Sequence, residues 1–417
     1  MKKLFREYAL LTVFVFIMGG LFLLDLCFTA NPYSELENRK LKQKPAFSLE
    51  ALASNQYTKN YEEYINDQFV GRDGWITLKS VFESALGKTE NNGVAYGADG
   101  YIFNKMYDPA LGEERSNGTG FGGDGDGSAA LPVLNQAQLA RNTGFLARFL
   151  SGYDGHVTVA IAPNSYAVLS EKVPANLPNV DQRKAVEDLY AGLDGENLTK
   201  LDLFSPLEEA AKTRQVCYRT DHHWTTDGAW AGYRAYCEAL GLPFATLEEL
   251  APLRREVPGF LGTYYNKSKN FNAQADTLVW YDIPVEDVTI DGERTALQPD
   301  GSRVEVTGLY QKEKLETRDK YAAFLYGNNG LTVIKSGNSK ARRGDGEPSR
   351  VLVIKDSYGN CFAPFLTYSY DEVWVADLRN MTFKVSETVA ENAFDDVLIL
   401  YNLDTFQEDR NFSRITY

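Results

Sequence analysis

From about residue 132 the chain alternates segments of helical periodicity with short β-branched runs, and this alternation restricts its fold more than any other feature. Helices are expected over 134–151, 180–193, 226–240 and 386–393, and buried strands over Val157–Ala162, Val351–Ile354, Val373–Val375 and Val397–Leu400. Such strands are apolar on both faces, as in a parallel sheet covered by crossover helices. The pattern predicts an α/β fold. Between Asn272 and Tyr326 the chain reads instead as short strands and turns, so a small inserted β-rich lobe is expected at about 272–326. No internal repeat interrupts this plan.

Residues Tyr8–Leu24 form an uncharged apolar run, with Lys2, Lys3 and Arg6 before it and Asp25 after it. Its length suits a membrane segment, and the basic residues predict that its N-terminal side faces the cytoplasm. An uncleaved anchor within 1–30 is expected, with everything that follows on the outer face of the cell membrane. Cleavage near Phe28-Thr29-Ala30-Asn31 would instead release a secreted chain. Cys27 lacks the small residue expected just before a lipidated cysteine. Residues 31–90 read as a tether with helical segments around 55–68 and 75–86, and 91–417 as the main domain. Val94 to Phe103 is expected to form a β-hairpin around Asp99-Gly100. The Gly-rich tract from Asn117 to Gly127 reads as a surface loop, too acidic and irregular for a phosphate cradle.

With 57 acidic against 43 basic side chains the formal charge is −14, which argues against a nucleic-acid partner. The hydrophobic share of 44% supplies ample apolar surface for a core and excludes wholesale disorder. Beyond the apolar run the cysteines are Cys217, Cys237 and Cys361, an odd number without metal-type spacing. Buried free thiols are expected rather than a disulfide framework.

The chain has 3 histidines, two of them adjacent in Asp221-His222-His223-Trp224. In an extended stretch Asp221 and His223 project together while His222 projects away, which makes an Asp-x-His dyad: the carboxylate holds one ring nitrogen and leaves the other as a base. A helix capped near Thr225 or Thr226 would fix the dyad at the rim of the sheet. A hydrogen-bonded core cluster beside Trp224 explains the same residues without chemistry. The candidate nucleophile is Ser357, where the strand Val351–Ile354 runs into the polar turn Lys355-Asp356-Ser357-Tyr358-Gly359-Asn360. Ligand sites of open α/β sheets lie at such strand ends, and such a turn aims backbone N–H groups at one point. Candidates for a second oxyanion donor are Gly359, Asn360, Asn402 and Asn164, with loop capping as the alternative for each. Arg379, just past a strand, is a candidate to orient an acidic sugar or acyl carbonyl, or else a surface ion pair. Tyr264 and Tyr265 are candidates to stack on sugar rings, though core packing accounts for most aromatic residues. A metal site at Asp221, His222 and His223 is the runner-up, weakened because adjacent histidines diverge in an extended chain.

At these residues the sequence resembles the DHHW protein family and, beyond it, the alginate O-acetyltransferase group of SGNH-type hydrolases. The marks are Glu37-Asn38-Arg39-Lys40-Leu41, Gly71-Arg72-Asp73, the hairpin Gly97 to Phe103, the tetrad, Gly262-Thr263-Tyr264-Tyr265 and Lys355 to Asn360. The resemblance implies an SGNH hydrolase-like three-layer α/β/α sandwich in circularly permuted order, with Asp221, His223 and Ser357 as the triad. It also implies acetyl transfer to a polysaccharide acceptor through an acyl-serine, commonly with a membrane-bound O-acyltransferase partner and no cofactor. Transferase and acetylesterase share this machinery. The alternative is a non-catalytic glycan-binding or scaffolding component of an envelope acyltransferase complex.

Overall fold

The structure is a computed structural model that describes residues 8–27, 29–34, 39–106, 134–175, 177, 179–341, 346–381 and 384–416. The Gly-rich tract from Asn117 to Gly127, with Glu37 and Asn38, lies outside the described residues. The chain divides into two compact units, Met1–Lys88 with Lys269–Asn272, and Thr89–Ser268 with Ala273–Tyr417.

In the first unit the apolar run is one helix, Ala9–Cys27, whose 19 residues rise about 28 Å at ~1.5 Å each. That is just under the ~30 Å of bilayer hydrocarbon. Among the described residues no helix is long and apolar enough to cross a membrane. Arg39 grips Asp67 through Nη1–Oδ2 at 2.8 Å and Nη2–Oδ1 at 2.6 Å, tying the two-residue strand Arg39–Lys40 to the helix Gln56–Gln68. The next helix, Arg72–Ala85, starts after Gly71 at φ 68°, a left-handed conformation that glycine adopts without a Cβ clash.

The second unit is mixed α/β around one large sheet. Its strands are β1 (His156–Ala162), β2 (Leu198–Leu201), β3 (Asp287–Ile290), β4 (Leu331–Lys335), β5 (Arg350–Lys355), β6 (Glu372–Ala376) and β7 (Asp396–Asn402). Their order is β3-β4-β6-β5-β7-β1-β2. From β6 to β2 every pairing is parallel, whereas β4 runs antiparallel to β6, and β3 antiparallel to β4. The four strands expected from the sequence, β1, β5, β6 and β7, pair in parallel, and β3 and β4 add an antiparallel edge. Burial gives the reason: β3 and β4 alternate buried and half-buried positions, while β5 and β7 are buried almost throughout. Alternation is the mark of an antiparallel strand with one face covered.

The helices include α1 (Gln136–Ser151), α2 (Gln182–Ala191), α3 (Phe204–Ala211), α4 (Thr226–Leu240), α5 (Gly359–Leu366) and α6 (Val385–Glu391). Asn135, Asp181 and Thr225 cap α1, α2 and α4, each accepting a backbone N–H three residues on. Helix α4 packs on α3 and α5, whereas α1 and α6 pack on the C-terminal 3₁₀ segment Arg410–Thr416. The expected hairpin forms from Val94–Tyr96 and Ile102–Asn104, with Glu90–Asn91 as a third strand. Within 272–326, Asp276–Tyr281 pairs with Arg254–Phe260, β3 joins the central sheet, and Thr295–Leu297 pairs with Arg303–Glu305. Cys217, Cys237 and Cys361 are buried free thiols, and burial pushes each up to about 12.

Candidate active site

Parallel pairing of β6, β5, β7 and β1 brings their C-terminal ends to one edge, so Ser357, Arg379 and Asn164 follow strands that finish there and Asn402 is the last residue of one. Ser357 lies in the turn between β5 and α5. Asp356 shapes that turn: its Oδ1 accepts Tyr358 N at 2.9 Å and its Oδ2 accepts Asn402 N from the end of β7 at 2.8 Å.

The tetrad is not extended. Residues 219–223 form bends, closed by a bridge between Cys217 and Trp224. Asp221 Oδ1 accepts the His223 N–H at 3.0 Å, an Asx-type turn that folds the carboxylate back on the residue two further along. This corrects the expected geometry: His222 does not project away, since its ring centroid is 3.7 Å from that of His223. The bend is braced from outside. Asp276 Oδ2 accepts both Thr220 N at 3.0 Å and Thr220 Oγ1 at 2.9 Å, and Asp276 Oδ1 accepts Arg219 N at 3.1 Å. Ile102 of the hairpin donates its N–H to Arg219 O at 2.8 Å.

The result is a three-residue chain of bonds. His223 Nδ1 is 2.5 Å from Asp221 Oδ1, and His223 Nε2 is 2.8 Å from Ser357 Oγ. Asp221 Oδ2 accepts Thr263 N at 2.7 Å, and Gly262 lies so close that a Cβ there would stand 2.2 Å from that oxygen. Trp224, buried, donates Nε1–H to Tyr358 O at 3.0 Å and so ties the tetrad to the serine turn. Burial raises the Asp221 carboxyl, but the His222 and His223 charges more than offset it and hold it well below the usual carboxylate range. Burial and the neighbouring His222 charge push His223 down to about 4, so its free nitrogen is a base at neutral pH. For His222 burial is outweighed by Asp221, Asp356 and Asp404, and its pKa is raised.

Among the described residues the Ser357 N–H has no protein acceptor, which leaves it open as an oxyanion donor. The four residues expected to offer a second donor each already make a hydrogen bond, although every Asn amide among them carries a second N–H. Gly359 N donates to Asp356 O at 3.1 Å, and Asn360 N to Ser357 O at 3.2 Å, as the first turn of α5 requires. Asn360 Nδ2 bonds Asn328 Oδ1 at 3.0 Å, Asn402 Nδ2 bonds Ala162 O at 2.9 Å, and Asn164 Nδ2 bonds Asp404 Oδ2 at 3.1 Å. Arg379 is clamped by Asp377 through Nε at 2.8 Å and Nη2 at 2.6 Å. Burial alone would raise the Asp377 carboxyl, but Lys355 and Arg379 bring it down to about 2. Tyr264 is buried, so its ring offers no free face of the kind sugar stacking needs, and Tyr265 carries the Arg318 guanidinium 4.7 Å from its ring centre.

Sequence reading missed Tyr321, which lies in the 3₁₀ turn Lys320–Ala323 and belongs to no motif. Its ring stacks on His223 at 3.8 Å and 12°, and its hydroxyl donates to Ser357 O at 3.0 Å. Asp276 was equally silent, one acidic residue at the start of a strand. A cavity of about 650 Å³ opens beside the dyad, lined by His222, Thr263, Tyr264, Arg379, Asn402 and Asp404 among others.

The same residues were tested as a metal centre. Possible ligand atoms of Asp221, His222 and His223 lie within 4.8 Å of one another, so the expected divergence of adjacent histidines does not hold. Each side chain is nevertheless already bonded: His223 Nδ1 to Asp221, His223 Nε2 to Ser357, and His222 Nδ1 to Thr263 Oγ1 at 2.7 Å. The donor set fits a proton relay better than an ion.

The DHHW protein family matches over residues 144–376. Among solved structures, a DHHW family protein from Eubacterium siraeum is 21% identical, with 78% of this chain and 95% of that chain covered and a TM-score of 0.55. Bacillus cereus PatB1 is 21% identical over 66% of this chain and 92% of its own, with a TM-score of 0.50. The same protein solved with a sulfonyl adduct is 20% identical over 66% and 90%, again at 0.50. At these identities the likeness is one of fold. No curated protein matches the sequence.

Proposed function

The chain belongs to the DHHW protein family, and from that premise we propose that it is a serine-dependent O-acetyltransferase or acetylesterase acting on a cell-envelope or secreted polysaccharide. One observation carries the reading: a hydroxyl, an imidazole and a carboxylate in line, Ser357 Oγ to His223 Nε2 at 2.8 Å and His223 Nδ1 to Asp221 Oδ1 at 2.5 Å. His223 takes the Ser357 proton as Oγ attacks the acetyl carbonyl. Asp221 holds the ring and stabilises the imidazolium. The Ser357 N–H faces the developing oxyanion, a contribution of about 3 kcal/mol to the barrier. Collapse expels the donor's oxygen with the proton returned from His223, leaving acetyl-Ser357. A sugar hydroxyl or water, deprotonated by His223, then attacks the acyl-enzyme and regenerates the serine.

In this reading the fold is the permuted SGNH-type arrangement, since Asp221 and His223 precede Ser357 in the chain. Attachment to the outer face of a membrane through the apolar helix Ala9–Cys27, and a membrane-bound O-acyltransferase as acetyl supplier, complete the proposal.

The test is incubation of the purified protein with 4-nitrophenyl acetate, followed by peptide mass spectrometry. An acetyl group on Ser357, absent from Ser357→Ala, is the expected result. A folded protein that shows neither adduct nor turnover, together with cells in which Ser357→Ala behaves as wild type, would overturn the reading in favour of a scaffold.

A further inference from the structure

Two polar atoms of residues lining the cavity beside the dyad are buried and carry no hydrogen bond: Asp404 Oδ1 and the Tyr264 hydroxyl. The other Asp404 oxygen accepts Asn104 Nδ2 at 2.6 Å and Asn164 Nδ2 at 3.1 Å, so the carboxyl is fixed with Oδ1 as its open acceptor. Asn164 approaches the Tyr264 hydroxyl closely enough to favour its ionised form, without a contact of full hydrogen-bond geometry, while its Nδ2 bonds Asp404 and its Oδ1 accepts Gln182 Nε2 at 2.6 Å. A buried polar atom left unpaired costs about 1–3 kcal/mol. Two of them on the wall of one cavity call for a partner that enters it.

The chemistry of that partner is readable from the wall. An ionised carboxylate oxygen only accepts, whereas a phenol donates and accepts, so the matching ligand presents neighbouring groups that do both. Adjacent hydroxyls on a sugar ring have this character, and about 650 Å³ accommodates a sugar unit. Charge narrows the class. Lys267, Arg410 and His222, whose pKa is raised, are balanced on the wall by Asp404, Glu408 and Asp409, and Arg379 is already neutralised by Asp377. Nothing there favours an acidic sugar, which would set its carboxylate against Asp404. His222, on the same wall, has its ring centroid 3.7 Å from that of His223, so the cavity is separated from His223 by the His222 ring.

We propose that this cavity is the acceptor subsite for an uncharged, hydroxyl-rich sugar unit, with Asp404 Oδ1 and the Tyr264 hydroxyl binding adjacent hydroxyls. The assignment as an acceptor site rests on the serine-transfer reading above, while sugar binding itself does not. Burial pushes the Asp404 carboxyl up to about 6, against the Asn104 hydrogen bond and the His222 and Lys267 charges, which lower it.

Calorimetric titration of full-length Ser357→Ala protein with cellopentaose, chitopentaose and penta-galacturonic acid tests the proposal. At least one uncharged oligomer is expected to bind more tightly than the acidic one, and to lose about tenfold or more in affinity in both Asp404→Asn and Tyr264→Phe. Tyr264→Phe removes a single oxygen and guards against misfolding of the aspartate variant. No binding of either uncharged oligomer, tighter binding of the acidic one, or wild-type affinity in both variants would overturn it. Acetylation of wild-type Ser357 by 4-nitrophenyl acetate is followed in parallel. Sugar binding without acetyl-Ser357 would remove the serine mechanism and leave a sugar site, whereas acetyl-Ser357 without sugar binding would remove only the subsite.

Discussion

The Tyr321 ring lies parallel to the His223 imidazole, 3.8 Å away centroid to centroid, while its hydroxyl bonds the Ser357 carbonyl. One residue thus fixes the plane of the His223 ring and the turn that carries Ser357. Tyr321→Phe keeps the stacked ring and is expected to stay within about tenfold of wild type. Tyr321→Leu lets the imidazole tilt, and kcat for 4-nitrophenyl acetate is expected to fall about 10- to 100-fold with KM little changed. Equal rates in the two variants would contradict a positioning role for the ring.

His223 is pushed down to about 4 by burial and by the His222 charge, with Asp221 opposing and Arg379 assisting. The base is the neutral form, so activity is lost as pH falls through about 4, and no acid limb appears near the usual 6.5. His222→Gln removes the neighbouring cation and is expected to move the limb to higher pH. A kcat/KM profile of both proteins checks this. A limb unmoved by the substitution would show that His222 is not the charge that His223 feels.

Gly262 is the residue on which Asp221 closes down. In Gly262→Ala the new methyl would meet the carboxylate, where a Cβ falls 2.2 Å from Oδ2. Relief must displace Asp221 from His223 or the Thr263 N–H. The expected cost is about 1–3 kcal/mol of stability in urea unfolding, with an acylation rate reduced out of proportion to the folded fraction.

Every ring nitrogen of His223 and the Nδ1 of His222 already has a hydrogen-bond partner. Dialysis against EDTA is therefore expected to leave esterase activity unchanged. Loss on chelation, restored by zinc, would favour the metal-hydrolase reading of Asp221, His222 and His223.

The strands were legible because local composition reports burial directly. Val351–Ile354 and Val397–Leu400 are apolar in both directions, and only a sheet covered on both faces keeps such runs from water. The Asp221–His223 pair and the serine it meets were legible for a related reason: an Asp-x-His spacing and a serine just past a buried strand are short-range patterns, set by a few bonds of backbone. Their geometry was less legible. The sequence suggested an extended tetrad, whereas the Asp221 side chain outcompetes a strand partner for the His223 N–H and bends the chain.

What the sequence by itself determined is therefore the α/β class, the buried strands and the residue types able to do acyl chemistry. Tertiary structure decided the rest. The bond from His223 Nε2 to Ser357 Oγ spans 134 positions and exists because α4, which follows the tetrad, packs on α5, which follows Ser357. Tyr321 and Asp276 entered the site, and the side chains of Asn360, Asn402 and Asn164 found partners in Asn328, Ala162 and Asp404, for reasons of the same kind. Periodicity records how much water a residue meets, whereas a hydrogen-bond partner is chosen by which distant segment the fold sets alongside, and no local pattern encodes that choice.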